Sequence, residues 1–233
     1  MNDSIIEKYL IKYQFNNDEK KEFLTIFSPM YNNIEFQKRM TNEFLHHGVI
    51  TLGEHIIEDA ILTYKLAKKV KKTNFRVDLA VTIAILHDLY TVPWQNNKAA
   101  KVKHFFNKHG FRHPVEAVIN SITWYPEKFQ KEDEAKIIID GILHHMFPLP
   151  VRYLNSTIEL KNKELYDNLD SSYKDIIDNS LKRKKIGSVS FSRSIYTEGR
   201  IMAKADRIVS RRQIKDFSSA KALLTGHNKK IEK

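Results

Sequence analysis

The 233 residues contain no cysteine, and only seven glycines and six prolines. The first absence excludes disulfides, thiolate metal sites and a cysteine nucleophile. Any metal must then be held by nitrogen and oxygen donors. Scarce glycine and proline argue against the many tight turns of a sandwich or barrel, and favour a helical chain. Long apolar runs are also missing. Stretches such as Ile137–Ile139 are far too short to span a bilayer. Met1–Glu7 has no basic region followed by an apolar one, so no signal peptide is read. The expectation is a cytoplasmic protein with no membrane partner. There is no internal repeat and no low-complexity segment.

Hydrophobic residues make up 42% of the chain and aromatics 11%, enough for a sizeable core. One domain over residues 1–233 is expected, with its core at about 45–213. The N-terminal helices, within 1–44, would pack on that core, and 217–233 would form a basic tail. The formal net charge is +11. A lysine-rich solvated surface accounts for such a value. So does attraction of an anionic partner, either a phosphorylated small molecule or nucleic acid. Two basic clusters stand out. Lys68-Lys69-Val70-Lys71-Lys72 reads as a helix end, where cations complement the dipole. Lys182-Arg183-Lys184-Lys185 reads as a loop.

Periodicity predicts an all-α bundle. Two or three helices fit before residue 45, the last at about Phe36–Phe44. Thr51-Leu52-Gly53-Glu54 has capping-box spacing and opens a helix carrying Ile56, Ile57, Ala60, Ile61 and Tyr64, with His55 in its first turn. Val77–Leu86 is apolar all round, as a buried helix is, with Pro93 as a stop signal. Helices are expected at about 99–108, 114–123 and 133–145. Two short helices joined by loops fit 151–195. A last helix is expected from Glu198 to Arg212, with Ile201, Ala205 and Ile208 on one face and Asp206 beside that stripe.

Ten histidines occur, and what matters is how several are placed. An aspartate ending an apolar helix, as in His87-Asp88, is costly to bury unless paired. A cation meets that cost, and imidazole beside carboxylate is a common pair of metal donors. Exposure at the helix end is the plain alternative. Asp206, among small and apolar residues, repeats the argument; its alternative is an ion pair with Lys204, Arg207 or a neighbouring helix.

The order His55, His87-Asp88, Asp206 resembles the defining pattern of the HD superfamily of metal-dependent phosphohydrolases. Neighbouring blocks extend the likeness: His47-Gly48-x-x-Thr51-x-x-x-His55, His109-Gly110-Phe111-Arg112-His113-Pro114, His145-Met146-Phe147-Pro148-Leu149 and Ala205-Asp206-Arg207. They are similar to a bacterial HD-domain hydrolase subgroup over roughly residues 45–210. The resemblance implies an HD-domain helical bundle with the metal site between helices. It implies a first metal on His55, His87, Asp88 and Asp206. In branches with two further histidines it implies a second metal, here on His113 and His145, bridged by Asp88. His145 is taken over His144 because it directly precedes the Met-Phe-Pro block, and His113 over His109. Iron, manganese, magnesium, zinc, nickel or cobalt suit such sites, with iron or manganese favoured.

The implied chemistry is attack on phosphorus by a metal-activated water, with Asp88 orienting it. The substrate would be a phosphate ester or anhydride, including that of a nucleotide. Lys204, Arg207 and Arg112 are substrate-binding candidates because they neighbour the implied ligands, and His47 is one as a donor to the leaving group. His87-Asp88-Leu89-Tyr90-Thr91 lacks the glycine-lysine of the cyclic-dinucleotide phosphodiesterases, and no acidic residue follows the pair before Glu116. Two other classes stay open. One is a nucleic-acid-binding protein with a structural metal centre; the other is an HD-fold di-iron oxygenase.

Overall fold

A computed structural model describes residues 3–46, 48–91, 93, 105–152 and 163–224. Among these, ten α-helices and a minor three-stranded sheet make up the chain. The architecture is all-α. One apolar cluster runs from Ile6 in the first helix to Met202 in the last, so the N-terminal helices share the main core.

Three helices precede the site: α1 (Asp3–Lys12), α2 (Asn17–Tyr31) and α3 (Ile34–Arg39). A true capping box opens α2, where Asn16 and Glu19 exchange side-chain-to-backbone bonds. The third helix ends at Arg39, short of the expected Phe44. At α4 (Leu52–Ala67) only half of the expected box forms. Thr51 accepts from the Glu54 N–H, but the Glu54 carboxylate instead accepts from the Tyr9 hydroxyl at 2.8 Å and Lys8 at 3.0 Å. That docks α1 on α4.

α5 (Val77–Leu86) is buried at every position from Leu79 onward. Its end is anchored by tertiary partners for carbonyls at and just beyond its last residue. Ser121 donates to the Leu86 carbonyl, Asn120 to that of Leu89, and buried Arg39 to that of Tyr90. Pro93 lies well beyond this end.

α6 (His109–Trp124) begins five residues before Pro114, the expected start. The proline falls in the second turn, where its missing N–H leaves the Gly110 carbonyl without its helical bond and its ring crowds that carbonyl. The helix expected over 99–108 falls mostly outside the described residues; its described end, Phe105–Asn107, is a 3-10 turn. α7 (Glu132–Leu143) stops just before His144-His145.

Residues 151–195 hold more than the expected two helices. Besides α8 (Lys163–Asp167) and α9 (Ser171–Lys182), β1 (Val151–Arg152), β2 (Lys185–Ile186) and β3 (Val189–Ser190) form an antiparallel sheet in the order β1-β3-β2. The second basic cluster thus runs from the end of α9 into β2 instead of forming a loop.

α10 (Thr197–Leu224) extends twelve residues past the expected Arg212. Its inward face also differs from expectation. Ile208 is 40% exposed, while Met202, Ala205, Asp206, Val209 and Gln213 are buried. The spacing 202, 206, 209, 213 is that of one helix face, and it puts Asp206 in the middle of the stripe. This helix packs against α4, α5 and α7. At the last crossing Gly199 meets Gly141, and a Cβ on Gly199 would lie 2.7 Å from the Gly141 Cα.

Candidate metal centre

Five elements converge at the junction of α4, α5 and α10. α4 supplies His55. The end of α5 supplies His87 and Asp88. α6 supplies His113, the segment after α7 supplies His145, and α10 supplies Asp206. All six side chains are buried, Asp206 the least so at 7% exposure.

The two oxygens of Asp88 face different histidines. Its Oδ2 stands 3.8 Å from His55 Nε2 and 3.7 Å from His87 Nε2. Its Oδ1 stands 3.2 Å from His113 Nε2 and 3.7 Å from His145 Nε2. On the first side, Asp206 Oδ1 is 3.7 Å from His55 Nε2. Two donors bound to one transition ion at about 2.1 Å stand roughly 3–3.5 Å apart, and most of these distances are a few tenths of an ångström longer, near the spacing of shared ligation.

Hydrogen bonds on the far side of each ring aim the Nε2 atoms inward. Nδ1–H of His87 donates to the Ala84 carbonyl at 2.8 Å, that of His113 to His109 at 3.1 Å, and that of His145 to Ile142 at 2.7 Å. This is the arrangement that orients metal-binding imidazoles. His55 Nδ1 meets Gln213 Oε1 at 2.9 Å.

The donor set fits a cation. His113 and His145 direct their Nε2 atoms at each other across 3.0 Å. With both Nδ1 atoms committed as donors, two lone pairs would collide there unless a proton or metal ion intervenes. His87 Nε2 has no hydrogen-bond partner among the described residues, although it is fully buried.

Charge gives the same answer. Burial alone would strip the His55 proton, but Asp59, Asp206 and Asp88 outweigh it and raise the pKa to about 10. Burial also opposes ionisation of Asp88, yet His87, His113 and His46 hold its carboxyl well below the usual range. His145 is lowered to about 3, by burial and then by His113 and His87, so it presents a neutral lone pair. Burial lowers His113, but Asp88 reverses this and raises it. The buried carboxylates favour positive charge at His55 and His113, and a metal ion would supply that charge directly.

The remaining candidates are placed as follows. Arg207 donates to the Phe147 carbonyl at 2.8 Å, holding the segment after His145. Arg112 lies 3.1 Å from Glu116. Lys204 is exposed; it is two residues before Asp206, about 200° away around the helix. His47 lies outside the described residues. His144 turns away to Ser180 Oγ at 3.1 Å, beside Asp140, and His109 stacks on His113.

Three side chains not singled out from the sequence also belong here. His46 Nε2 is 3.9 Å from Asp88 Oδ2, at a turn whose Gly48 has a φ of +77°, a conformation that favours glycine. Gln213 buttresses His55. Asp59 shares the face of His55 one turn on, a four-residue helical spacing visible in the sequence.

An all-α bundle that gathers buried imidazoles and carboxylates from several helices defines a class of metal-centre protein. The family model for the HD domain matches residues 52–210, and the chain belongs to that family. Its members are commonly metal-dependent phosphohydrolases. No curated protein and no solved structure shows significant similarity to the chain.

Proposed function

We propose that this protein is a metal-dependent phosphohydrolase with a two-metal centre, acting on a phosphate ester or anhydride of a small phosphorylated molecule or nucleotide. The observation that carries this reading is the division of Asp88, one oxygen toward His55 and His87 and the other toward His113 and His145. Were two ions bound, Asp88 would be placed to help hold both.

His55, His87 and Asp206 would hold the first ion, and His113 and His145 the second. When bound, such ions acidify water and polarise a phosphoryl oxygen. The chain's own residues orient and neutralise. Asp88 keeps its charge and aligns both halves of the centre. Arg207 fixes the segment that follows His145. Imidazole and carboxylate donors without thiolate favour iron or manganese.

A groove of about 370 Å³, lined by none of the six clustered side chains, runs beside Phe147, two residues after His145, and its charge suits an anionic ligand. Arg183, Lys184, Arg193 and Arg200 line it, and no carboxylate does. Asp140 neutralises Arg183, but the other three lysine and arginine side chains face no acidic partner in the groove lining.

The test has two arms. Elemental analysis of the purified protein is expected to find one to two transition ions per chain, and Asp88→Ala to remove them. A screen of nucleotides and generic phosphodiesters with added manganese is expected to release phosphate or a phosphomonoester. Full metal retention in Asp88→Ala would overturn the site. Inactivity with tight nucleic-acid binding would replace catalysis by a structural centre in a binding protein. Dioxygen consumption by iron-loaded protein would point to an oxygenase.

A further inference from the structure

Asp59 lies on α4 one turn after His55 and is fully buried. Its Oδ2 stands 3.1 Å from His55 Nε2 and 3.5 Å from His87 Nε2. Neither Asp59 oxygen accepts a hydrogen bond of good geometry among the described residues. Its nearest partners are those two ring nitrogens, and its pairing with them is incomplete.

A purely structural carboxylate would bind the far nitrogen of a ligand histidine and orient the ring. That position is taken: Gln213 faces His55 Nδ1, and the Ala84 carbonyl faces His87 Nδ1. Asp59 approaches the other nitrogen of both rings, the one turned toward Asp88. Four donor atoms, from His55, Asp59, His87 and Asp206, all lie within 4.8 Å of one another.

We propose that Asp59 is a direct ligand of the first metal ion, beyond the His55, His87, Asp88 and Asp206 set. The inference rests on reading the cluster as a metal centre. It makes the first pocket two imidazoles and three carboxylates, five protein donors in all. Zinc is almost always four-coordinate in structural sites and takes three protein ligands in catalytic ones, whereas manganese and ferrous iron accept more oxygen donors. The first pocket is therefore built for manganese or ferrous iron in preference to zinc.

The test uses full-length protein stripped of metal and titrated with manganese, free ion being read by its paramagnetic resonance signal. Asp59→Asn is expected to weaken the first site at least tenfold and leave binding at the His113–His145 side. The variant is isosteric; should it fail to fold, Asp59→Ser provides the same comparison. A parallel cobalt titration of the wild-type protein is independent of any variant. Its first equivalent should show the weak visible band of five- or six-coordinate cobalt, and an intense tetrahedral band overturns the proposal. Unchanged manganese affinity in Asp59→Asn, with loss of the first ion in Asp206→Asn, overturns the role of Asp59 and leaves the centre intact. Unchanged binding in both variants means the centre itself has been misread.

Discussion

Gln213 decides which nitrogen of His55 faces the cluster. Its amide nitrogen donates to Glu58 Oε2 at 3.0 Å, and Glu58 is held as a carboxylate by Lys12 and Arg212, each at 2.7 Å. Because an ionised carboxylate only accepts, the amide NH₂ must face it. Gln213 Oε1 therefore accepts from His55 Nδ1–H, and the Nε2 lone pair is left for a metal. Gln213→Leu is expected to weaken metal binding about 10–100-fold, the usual cost of losing such a support. Circular dichroism should show an unchanged helical content, and undiminished affinity in an isothermal titration would exclude this orienting role. Much of the candidate site was legible residue by residue, since His87-Asp88 and Asp206 are acids in apolar stretches. Gln213 and Asp59 were not, because each carries meaning only through the neighbour it meets.

At the scale of elements, the centre depends on how closely α7 and α10 cross. Gly199 lies against Gly141, and a Cβ there would also stand 2.5 Å from Ser194 Oγ. α7 leads directly into His145, and α10 carries Asp206. Gly199→Ala would force the helices apart or strain their backbones, at a cost of about 1–3 kcal/mol. With roughly 2–4 °C per kcal/mol for a chain of this size, a thermal melt is expected to show a loss of about 2–12 °C. An unchanged melting temperature would mean the crossing has slack. α4 and α5 were legible because their apolar patterns are dense and their ends marked. The β2–β3 hairpin was not: two-residue strands have no period to detect, and only pairing across the sheet defines them.

Across the whole molecule, a metal ion held by donors from five elements would act as a cross-link. An ion that binds only the folded state stabilises it by about 4 kcal/mol when present at 1,000 times its Kd. Chelation is therefore expected to lower the melting temperature by about 8–16 °C, and resupplied manganese to restore it. A melting temperature indifferent to chelator would deny the centre any structural coupling. No helix among the described residues is long and apolar enough to cross a membrane.

The sequence by itself determined the helical class and the central helices, and through a resemblance it pointed to His55, His87, Asp88 and Asp206 as candidate donors. Composition and periodicity are local properties, and the order of a motif needs no coordinates. Tertiary structure decided the rest. It set His145 against His113 and turned His144 toward Ser180. It divided Asp88 between two histidine sets and brought Asp59 and Gln213 to His55. Those are distances between helices remote in the chain, set by side-chain packing at the crossings and by the partners found for the carbonyls at the end of α5.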